Sequence, residues 1–286
     1  STVTVNASAT INIPTPITFN RPFVLNNGAS LATNATSAVV TVTGAVTGTG
    51  SIAPYNQSGA SLTLSSTANT FTGNFTLGGG IQQGTIIVNS IGDGGIVNLG
   101  TQSSSGNQYG QANFRYGTGA TAPLVLGTRQ FRLGTFNGGK GVIQNDNTNA
   151  ANTITINTDL LAPLTGARVL ELGGANTGNN TFAGKIIDGS GTVSLSKGGN
   201  GNWALSGTNT YSGSTVMAFS NPSGGNLIFQ GLQALPTGTT LSQTHAGGVG
   251  GFGTLKLLDD SATPASRTGV NLAMAASNTS HTMTLF

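Results

Sequence analysis

The sequence predicts an all-β protein, a parallel β-helix (solenoid) built from short strands. Short runs of alternating or β-branched residues are bounded by Gly, Asn or Pro, the pattern of strands joined by turns. Stretches with good helix propensity are almost missing, because Gly, Thr, Asn and Ser interrupt the chain every few residues. The chain also repeats its own motifs at a nearly constant interval, which indicates a repeated structural unit.

The predicted strands are about three to five residues long, shorter than the usual ~5–6. The strongest runs are residues 2–5, 10–13, 39–42, 62–64, 85–88, 154–156, 193–195 and 282–285.

A pair of β-sandwich domains is the main alternative. Two such domains of equal size would need a polar linker near residue 142. The run Gly141-Val142-Ile143 instead continues the same strand-like pattern. In a β-helix, like residues stack at ~4.8 Å, Asn amides form ladders along the stack, and Gly supplies positive φ angles at corners. Coils of about 20–25 residues predict roughly a dozen coils in a rod on the order of 60 Å long.

The clearest repeat is a strand followed by an asparagine turn. Residues 62–73 contain LTLS and then NTFTG, and residues 203–213 contain WALS and then NTYSG. Leu64 and Leu205 lie 205 − 64 = 141 positions apart, and Gly73 and Gly213 lie 213 − 73 = 140 apart. We therefore expect two tandem units of about 141 residues, 1–141 and 142–286, within one continuous solenoid.

This repeat resembles a known family. Residues 205–213 (LSGTNTYSG) closely resemble the autotransporter-associated β-strand repeat of bacterial passenger domains. Residues 180–191 (NTFAGKIIDGSG) resemble the block that precedes it in that family, and residues 62–73 are a weaker second match. The resemblance implies a right-handed parallel β-helix, exposure outside the cell and export through an outer membrane.

Core and corner roles, without chemistry, are expected for the repeated motif. Alternate residues of a strand share a face, so the motif's strand residues should point inward and its aromatic residue should fill the coil. The expected inward residues are Leu62, Leu64, Trp203 and Leu205, the expected fillers are Phe71 and Tyr211, and the expected corner glycines are Gly73 and Gly213.

Composition excludes several classes of function. The chain has no Cys, which excludes disulfides, thiolate metal sites and a Cys nucleophile. Only 6% of residues are charged, against about 25% in typical soluble proteins, and the net charge is +3. Arg129 and Arg132 are the nearest approach to a basic cluster, so no nucleic-acid partner is expected. No apolar stretch approaches the ~20 residues of a transmembrane helix.

The ionisable residues do not predict an active site. Glycoside hydrolysis needs two carboxyls within about 5–10 Å, but Asp259 and Asp260 are adjacent and would face opposite ways on a strand. Asp93 and Asp188 lie in Gly-rich runs typical of turns. His245, in a predicted loop, and His281 have no carboxylate near them in sequence. The remaining acids are Asp146, Asp159 and Glu171.

Two glycine-rich runs are near misses to ligand-binding motifs. Residues 134–141 resemble a phosphate loop but lack Ser or Thr after Lys140, and no helix is predicted to follow. Residues 247–252 resemble a calcium nonapeptide but have Phe252 where Asp is required. We therefore expect no catalytic, cofactor-binding or metal-binding residues and no cofactor.

The leading hypothesis is a non-enzymatic structural protein of the bacterial cell surface, a secreted stalk or filament module. Strand-like residues at both ends predict that it stacks end to end or continues into a longer chain. The alternative is an adhesin that binds cell-surface glycans or other cells through a Thr/Asn-rich face or an exposed aromatic such as Tyr109 or Tyr116. A carbohydrate-active enzyme is a further possibility that two or more converging acids would support.

Overall fold

The protein is a parallel β-helix, as the sequence predicts. In the computed structural model the described residues are 1–33, 39–54, 61–78, 84–100, 111–134, 139–219, 223–245, 252–258 and 271–274. They form 26 strands and one short 3-10 helix, Leu232–Ala234. All strand pairs described are parallel, and they join strands of successive coils rather than chain neighbours.

The strands form four sheets that run along the rod. The short sheet contains β1 (Val3–Val5), β4 (Phe23–Leu25) and β7 (Val46–Gly48). The first-half sheet contains β2 (Thr10–Ile13), β5 (Ser30–Thr33), β8 (Ser51–Pro54), β10 (Asn74–Leu77), β12 (Ile96–Leu99) and β15 (Gln130–Leu133).

The other two sheets carry the rod to its far end. The second-half sheet contains β14 (Leu124–Leu126), β17 (Ile154–Ile156), β19 (Asn180–Phe182), β21 (Trp203–Leu205), β23 (Ser223–Gln230) and β25 (Phe252–Leu258). The long sheet contains β3 (Ile17–Phe19), β6 (Val39–Val42), β9 (Ser61–Leu64), β11 (Gly84–Val88), β13 (Gln111–Tyr116), β16 (Lys140–Asn145), β18 (Arg168–Gly174), β20 (Val193–Lys197), β22 (Thr215–Phe219), β24 (Thr240–His245) and β26 (Asn271–Met274).

The long sheet has eleven strands, one for each turn of the chain, which agrees with the predicted dozen coils. Register partners along it set the coil length: Lys197 pairs with Met217, 20 positions on, and Gln243 pairs with Met274, 31 positions on. Loops between strands absorb this variation, so the period is not constant.

Seven of the eight strongest predicted runs are strands, and residues 282–285 lie outside the described residues. The predicted strand length is too short for part of the chain. Strands β13, β16 and β24 have six residues, β18 and β25 have seven, and β23 has eight. The two glycines at the end of β18 continue the pairing instead of stopping it, whereas the two glycines within β23 lie at a shift in register that the strand runs through.

The predicted boundary between residues 141 and 142 falls inside a strand. Gly141 and Val142 both belong to β16, which pairs with β13 on one side and with β18 on the other. The long sheet therefore passes this point without a break, and the division into two units stays a prediction.

The core is a set of inward rows that run along the rod. In the long sheet, one such row aligns one buried side chain from each of eight successive coils, and all but one of these side chains are apolar, because the register keeps like positions above one another. Its members are Val40, Leu62, Ile86, Phe114, Ile143, Leu172, Lys197 and Met217, each at most 3% exposed. Lys197 is the one cation in this row.

Buried asparagines link the coils at one corner, mainly through backbone carbonyls and not through the ladder of side-chain amides that the sequence predicts. Asn147 Nδ2 donates to Ala120 O (2.8 Å), and Asn176 Nδ2 donates to Asn147 O (2.9 Å). Asn145 Nδ2 donates to Asn180 Oδ1 (2.6 Å). These side chains are at most 2% exposed, so the hydrogen bonds satisfy backbone and side-chain polar groups that water does not reach.

Candidate functional site

The two copies of the repeated motif occupy the core, as predicted. Leu62, Leu64, Trp203 and Leu205 are all fully buried, and so are Phe71 and Tyr211. Both corner glycines are required by space, since a Cβ would overlap a neighbouring backbone oxygen, that of Gly50 for Gly73 and that of Val193 for Gly213. None of these positions presents a reactive group to solvent.

The motif asparagines each reach back to the preceding coil. Asn69 Oδ1 accepts the Val46 N–H, and Asn209 Oδ1 accepts the Ile186 N–H, both at 2.8 Å. The copies nevertheless lie on different faces, because strand β9 belongs to the long sheet and β21 to the second-half sheet. The sequence repeat therefore specifies a local turn and not a position on the rod.

The described acids are engaged by backbone amides or by cations. Asp93 accepts the N–H groups of Gly127 (3.0 Å), Thr128 (2.9 Å) and Arg129 (2.8 Å). Burial acts to raise the pKa of Asp93, but these hydrogen bonds outweigh it and leave the pKa below its usual value. Asp93 thus fastens its own coil to the next one.

Two further aspartates act in the same way. Asp159 Oδ1 accepts the Lys185 N–H (2.8 Å), and Asp188 accepts the N–H groups of Val193 (2.7 Å) and Ser212 (3.0 Å). Asp93 and Asp188, predicted only as turn residues, therefore also hold neighbouring coils together. Their spacing in the sequence does not reveal this second role.

The other two described acids form ion pairs between successive coils, at or directly after strands of the long sheet. Asp146 pairs with Arg115 (2.6 Å), and Glu171 pairs with Lys140 (2.7 Å). Asp259 and Asp260 lie outside the described residues. In the described part of the chain, no group of three or more His, Cys, Asp and Glu residues could hold a metal ion.

Three cations, Arg129, Arg168 and Lys197, are buried, and the sequence analysis did not anticipate this. The Arg129 guanidinium donates to the carbonyls of Phe71, Gly73 and Gly92 at 2.9 Å each and lies 5.1 Å from the centre of the Phe75 ring. Burial lowers its pKa to about 10, although the nearby Asp93 charge acts in the opposite direction. Arg129 therefore supports the interior, with its charge spread over backbone oxygens.

Lys197 is fully buried and points inward from β20. Its Nζ donates to Gly198 O (2.6 Å) and Gly199 O (3.0 Å). Burial lowers the pKa of Lys197 to about 7, against the influence of Glu171. Full burial excludes substrate from this amine.

The remaining candidate residues give two corrections. Tyr116, expected as an exposed aromatic, is 2% exposed and donates its hydroxyl hydrogen to Ala122 O; burial raises its pKa to about 12. It faces inward because it aligns with the core residue Val88. His245, expected in a loop, ends strand β24 and pairs with Phe219. Tyr109, His281 and residues 247–251 lie outside the described residues.

The phosphate-loop resemblance at residues 134–141 ends in a strand. Lys140 and Gly141 begin β16, so no helix follows the glycines there and no helix N-terminus faces a ligand. Residues 135–138 lie outside the described residues. No described segment forms a helix with the length and apolar character needed to cross a membrane.

A shallow groove of about 260 Å³ lies where the first-half sheet ends. There Arg132 of β15 makes an isolated parallel bridge to Leu161. The groove is lined by Ile96, Arg132, Leu160, Leu161, Ala162, Pro163, Ile187, Asp188 and Gly189. Its one carboxylate, Asp188, is already occupied by backbone amides, so the groove lacks the paired acids of a glycosidase.

Comparison with known proteins gives one informative similarity. The chain is 34% identical over 134 residues to the adhesin BmaC autotransporter of Brucella suis biovar 1 (strain 1330). That match covers 45% of this chain and 4% of the relative, so the chain corresponds to a small part of that protein's length. No family model matches the chain, and no solved structure matches it.

Proposed function

We propose that this chain is a non-enzymatic, load-bearing segment of a bacterial surface adhesin, a rigid β-helical stalk exposed outside the cell. The observation that carries the proposal is the long sheet of eleven parallel strands. The similarity to an autotransporter adhesin supports the surface location. The engagement of all five described acids in links between coils or strands supports a structural role over an enzymatic one.

Protease resistance tests the stalk directly. Arg129, Arg168 and Lys197 are at most 2% exposed, and the Arg115 and Lys140 side chains are held in ion pairs. Trypsin should therefore spare these five positions in the folded chain, while it cleaves the heat-unfolded chain at each of them. Rapid cleavage of the folded chain after Arg129 or Lys197 would contradict a continuous, tightly packed rod.

A binding role through an outward face is the second candidate. Thr18, Thr41 and Thr63 align in register on three successive strands of the long sheet and point away from the core. Such a row offers repeated hydroxyl groups to a glycan. The name of the relative, an adhesin, supports this reading as much as it supports the stalk.

Substitutions on two faces separate the candidates. The double variant Thr41→Lys, Thr63→Lys should abolish retention on glycan arrays or host cells if this face binds, whereas Val125→Lys on the second-half sheet is the matched control because Val125 is 58% exposed. Retention that is unchanged in both variants would favour the passive stalk. Loss in both would indicate non-specific charge effects and would contradict binding by the threonine row.

End-to-end association is also part of the proposal. Strand β3 lies at the edge of the long sheet. It pairs with β6 on one side, and no described strand pairs with its other side. A further coil of the same polypeptide or a second copy could extend the sheet there, since strand edges template such pairing. Sedimentation of the purified chain distinguishes the two: concentration-dependent growth supports self-association, and a constant monomer mass contradicts it.

A further inference from the structure

The sequence contains three Asn–Gly steps, and the structure places two of them in opposite environments. Asn27–Gly28 lies in a turn between β4 and β5, where both residues are exposed. Asn200–Gly201 precedes β21, and Gly201 is buried. The third step, 137–138, lies outside the described residues. This contrast bears on the chemistry that Asn–Gly steps undergo without an enzyme.

The turn at Asn27–Gly28 leaves the reacting atoms accessible. Ala29 N–H donates to Asn26 O (2.9 Å), which closes a four-residue turn, and Gly28 has a φ of 83°, as the third residue of a type II turn requires. Among the described residues, none accepts a hydrogen bond from the Gly28 amide. The nearest atom to a Cβ built at Gly28 is 3.5 Å away, so the neighbouring coil touches this position without crowding it.

The step at Asn200–Gly201 is held in place. The Gly201 N–H donates to Gly174 O at 2.8 Å. A Cβ built at Gly201 would lie 2.7 Å from Asn176 O, which shows how closely the preceding coil packs against it. To react, Gly201 would have to lose its hydrogen bond and move away from that coil.

We propose that Asn27 is a site of spontaneous deamidation in the folded protein and that Asn200 is protected from it. The Gly28 amide nitrogen, after loss of its proton, attacks the Asn27 side-chain carbonyl carbon; a new C–N bond forms, and the Asn27 amide nitrogen leaves as ammonia. Water then opens the resulting succinimide at one of its two carbonyls. The products are aspartate and isoaspartate at position 27.

Deamidation would alter a corner that links the first coils. Asn26 Nδ2 donates to Asn6 Oδ1 (3.0 Å), and Ser8 N–H donates to Gly28 O (3.1 Å). Either product places a carboxylate beside these bonds, and isoaspartate also adds a methylene group to the backbone of the turn. The site is therefore a slow chemical modification point on the outside of the rod.

Peptide mapping of the intact chain tests the proposal. The folded protein is held in mildly alkaline buffer, digested with chymotrypsin, and analysed by mass spectrometry that separates aspartate from isoaspartate. Because loss of a buried hydrogen bond opposes reaction at Gly201, Asn27 should deamidate at least roughly tenfold faster than Asn200. Equal rates in the folded chain, or an intact Asn27, would overturn the proposal.

Two controls separate the effect of the fold from that of local sequence. In concentrated urea the two steps should react at similar rates, since the Gly201 hydrogen bond is lost; a difference that persists there would overturn the structural explanation. The Asn27→Gln variant should lose the signal from its peptide while it keeps the turn. A product that remains in that peptide would place the reaction at another asparagine and also overturn the assignment.

Discussion

The two motif copies, residues 62–73 and 203–213, share one turn but differ in what surrounds it. In the first copy Phe71 packs edge-on against Phe75, with ring centres 5.2 Å apart. In the second, the Tyr211 hydroxyl shares a hydrogen bond with Thr215 Oγ1 (2.7 Å), and burial raises the pKa of Tyr211 well above its usual value. The turn is thus specified locally, while the choice of aromatic depends on the neighbouring coil.

The asparagines also differ in how far they reach. Asn209 spans three coils, because its Oδ1 accepts the Ile186 N–H and its Nδ2 donates to Ala234 O (2.6 Å). Asn69 likewise accepts from the preceding coil, but its Nδ2 donates within its own coil, to Leu64 O (3.3 Å) and Ser66 O (2.7 Å). The Asn209 side chain therefore links one more coil than the Asn69 side chain, while the Asn69 backbone N–H reaches the following coil through Ser90 Oγ (2.8 Å).

Removal of the buried aromatic ring should have the largest effect on stability, and the effect should be similar in the two copies. Phe71→Ala and Tyr211→Ala each leave a cavity at a fully buried site, and we expect a loss of about 3–5 kcal/mol in the free energy of unfolding. Chemical denaturation of each variant measures it. A loss below about 1 kcal/mol in either copy would mean that its ring does not fill the coil.

The second prediction concerns the inward row of the long sheet, which contains Leu62 of the first motif copy. Farther along the same row lies Lys197, which precedes the second motif copy. The pKa of Lys197 falls from 10.5 to about 7 on burial, so between these values the unfolded chain binds more protons than the folded chain. Stability should therefore fall as pH is lowered from 10.5 to 7, by roughly 1 kcal/mol per pH unit at most, and change little from this group below pH 7.

The Lys197→Met variant provides the comparison for that pH dependence. Met217 occupies the next place in the same row, so methionine fits the chemistry of the site. The variant should be more stable than the parent near pH 7, by a few kcal/mol, and its unfolding free energy should vary less across the alkaline range. Parallel pH profiles for the two proteins would contradict the assignment.

Asparagine removal should separate the two copies. Asn209→Ala leaves the Ile186 N–H and Ala234 O without this partner. Asn69→Ala leaves only the Val46 N–H so, because Leu64 O and Ser66 O each keep a hydrogen bond from the following coil. At about 1–3 kcal/mol for each buried group left unsatisfied, Asn209→Ala should be the more destabilising. Denaturation of both variants tests the order, and equal losses would show that the extra link contributes nothing measurable.

An exchange of the aromatics should give the smallest effect. Tyr211→Phe removes the tyrosine hydroxyl that is hydrogen-bonded to Thr215. Because Thr215 Oγ1 keeps Thr239 Oγ1 as a partner at 3.3 Å, the free energy of unfolding should fall by only about 1 kcal/mol. Phe71→Tyr buries a new hydroxyl among apolar rings and should cost about 1–3 kcal/mol. Thermal unfolding ranks the pair; the reverse order would show that the first copy can supply a partner for the hydroxyl.

Much of the fold could be predicted because it rests on local patterns. The run at residues 62–64 alternates, so it is a strand; Gly73 follows an aromatic, so it turns a corner; and buried asparagines such as Asn147 link coils as Asn-rich turns suggest. The right-handed sense of the coil, the tandem division and the absence of cofactors stay predictions.

The rest depends on contacts between distant residues. Tyr116 looks like a surface aromatic until its register with Val88 places it inward. Arg129 and Lys197 read as solvated charges, and only the carbonyl groups around them explain their burial. Such a buried cation can be identified in the sequence where it takes one of the alternate positions that are otherwise apolar. Lys197 does so after Val193 and Leu195.

The unequal lengths of the four sheets bear on how the molecule would carry tension. The short sheet stops at β7, the first-half sheet at β15, and the second-half sheet begins only at β14, whereas the long sheet has strands from β3 to β26. Tension applied along the rod would therefore pass from coil to coil through the long sheet, the one sheet that extends over all these coils. The first pair of coils to separate would be the one whose strands in the long sheet are held together least strongly.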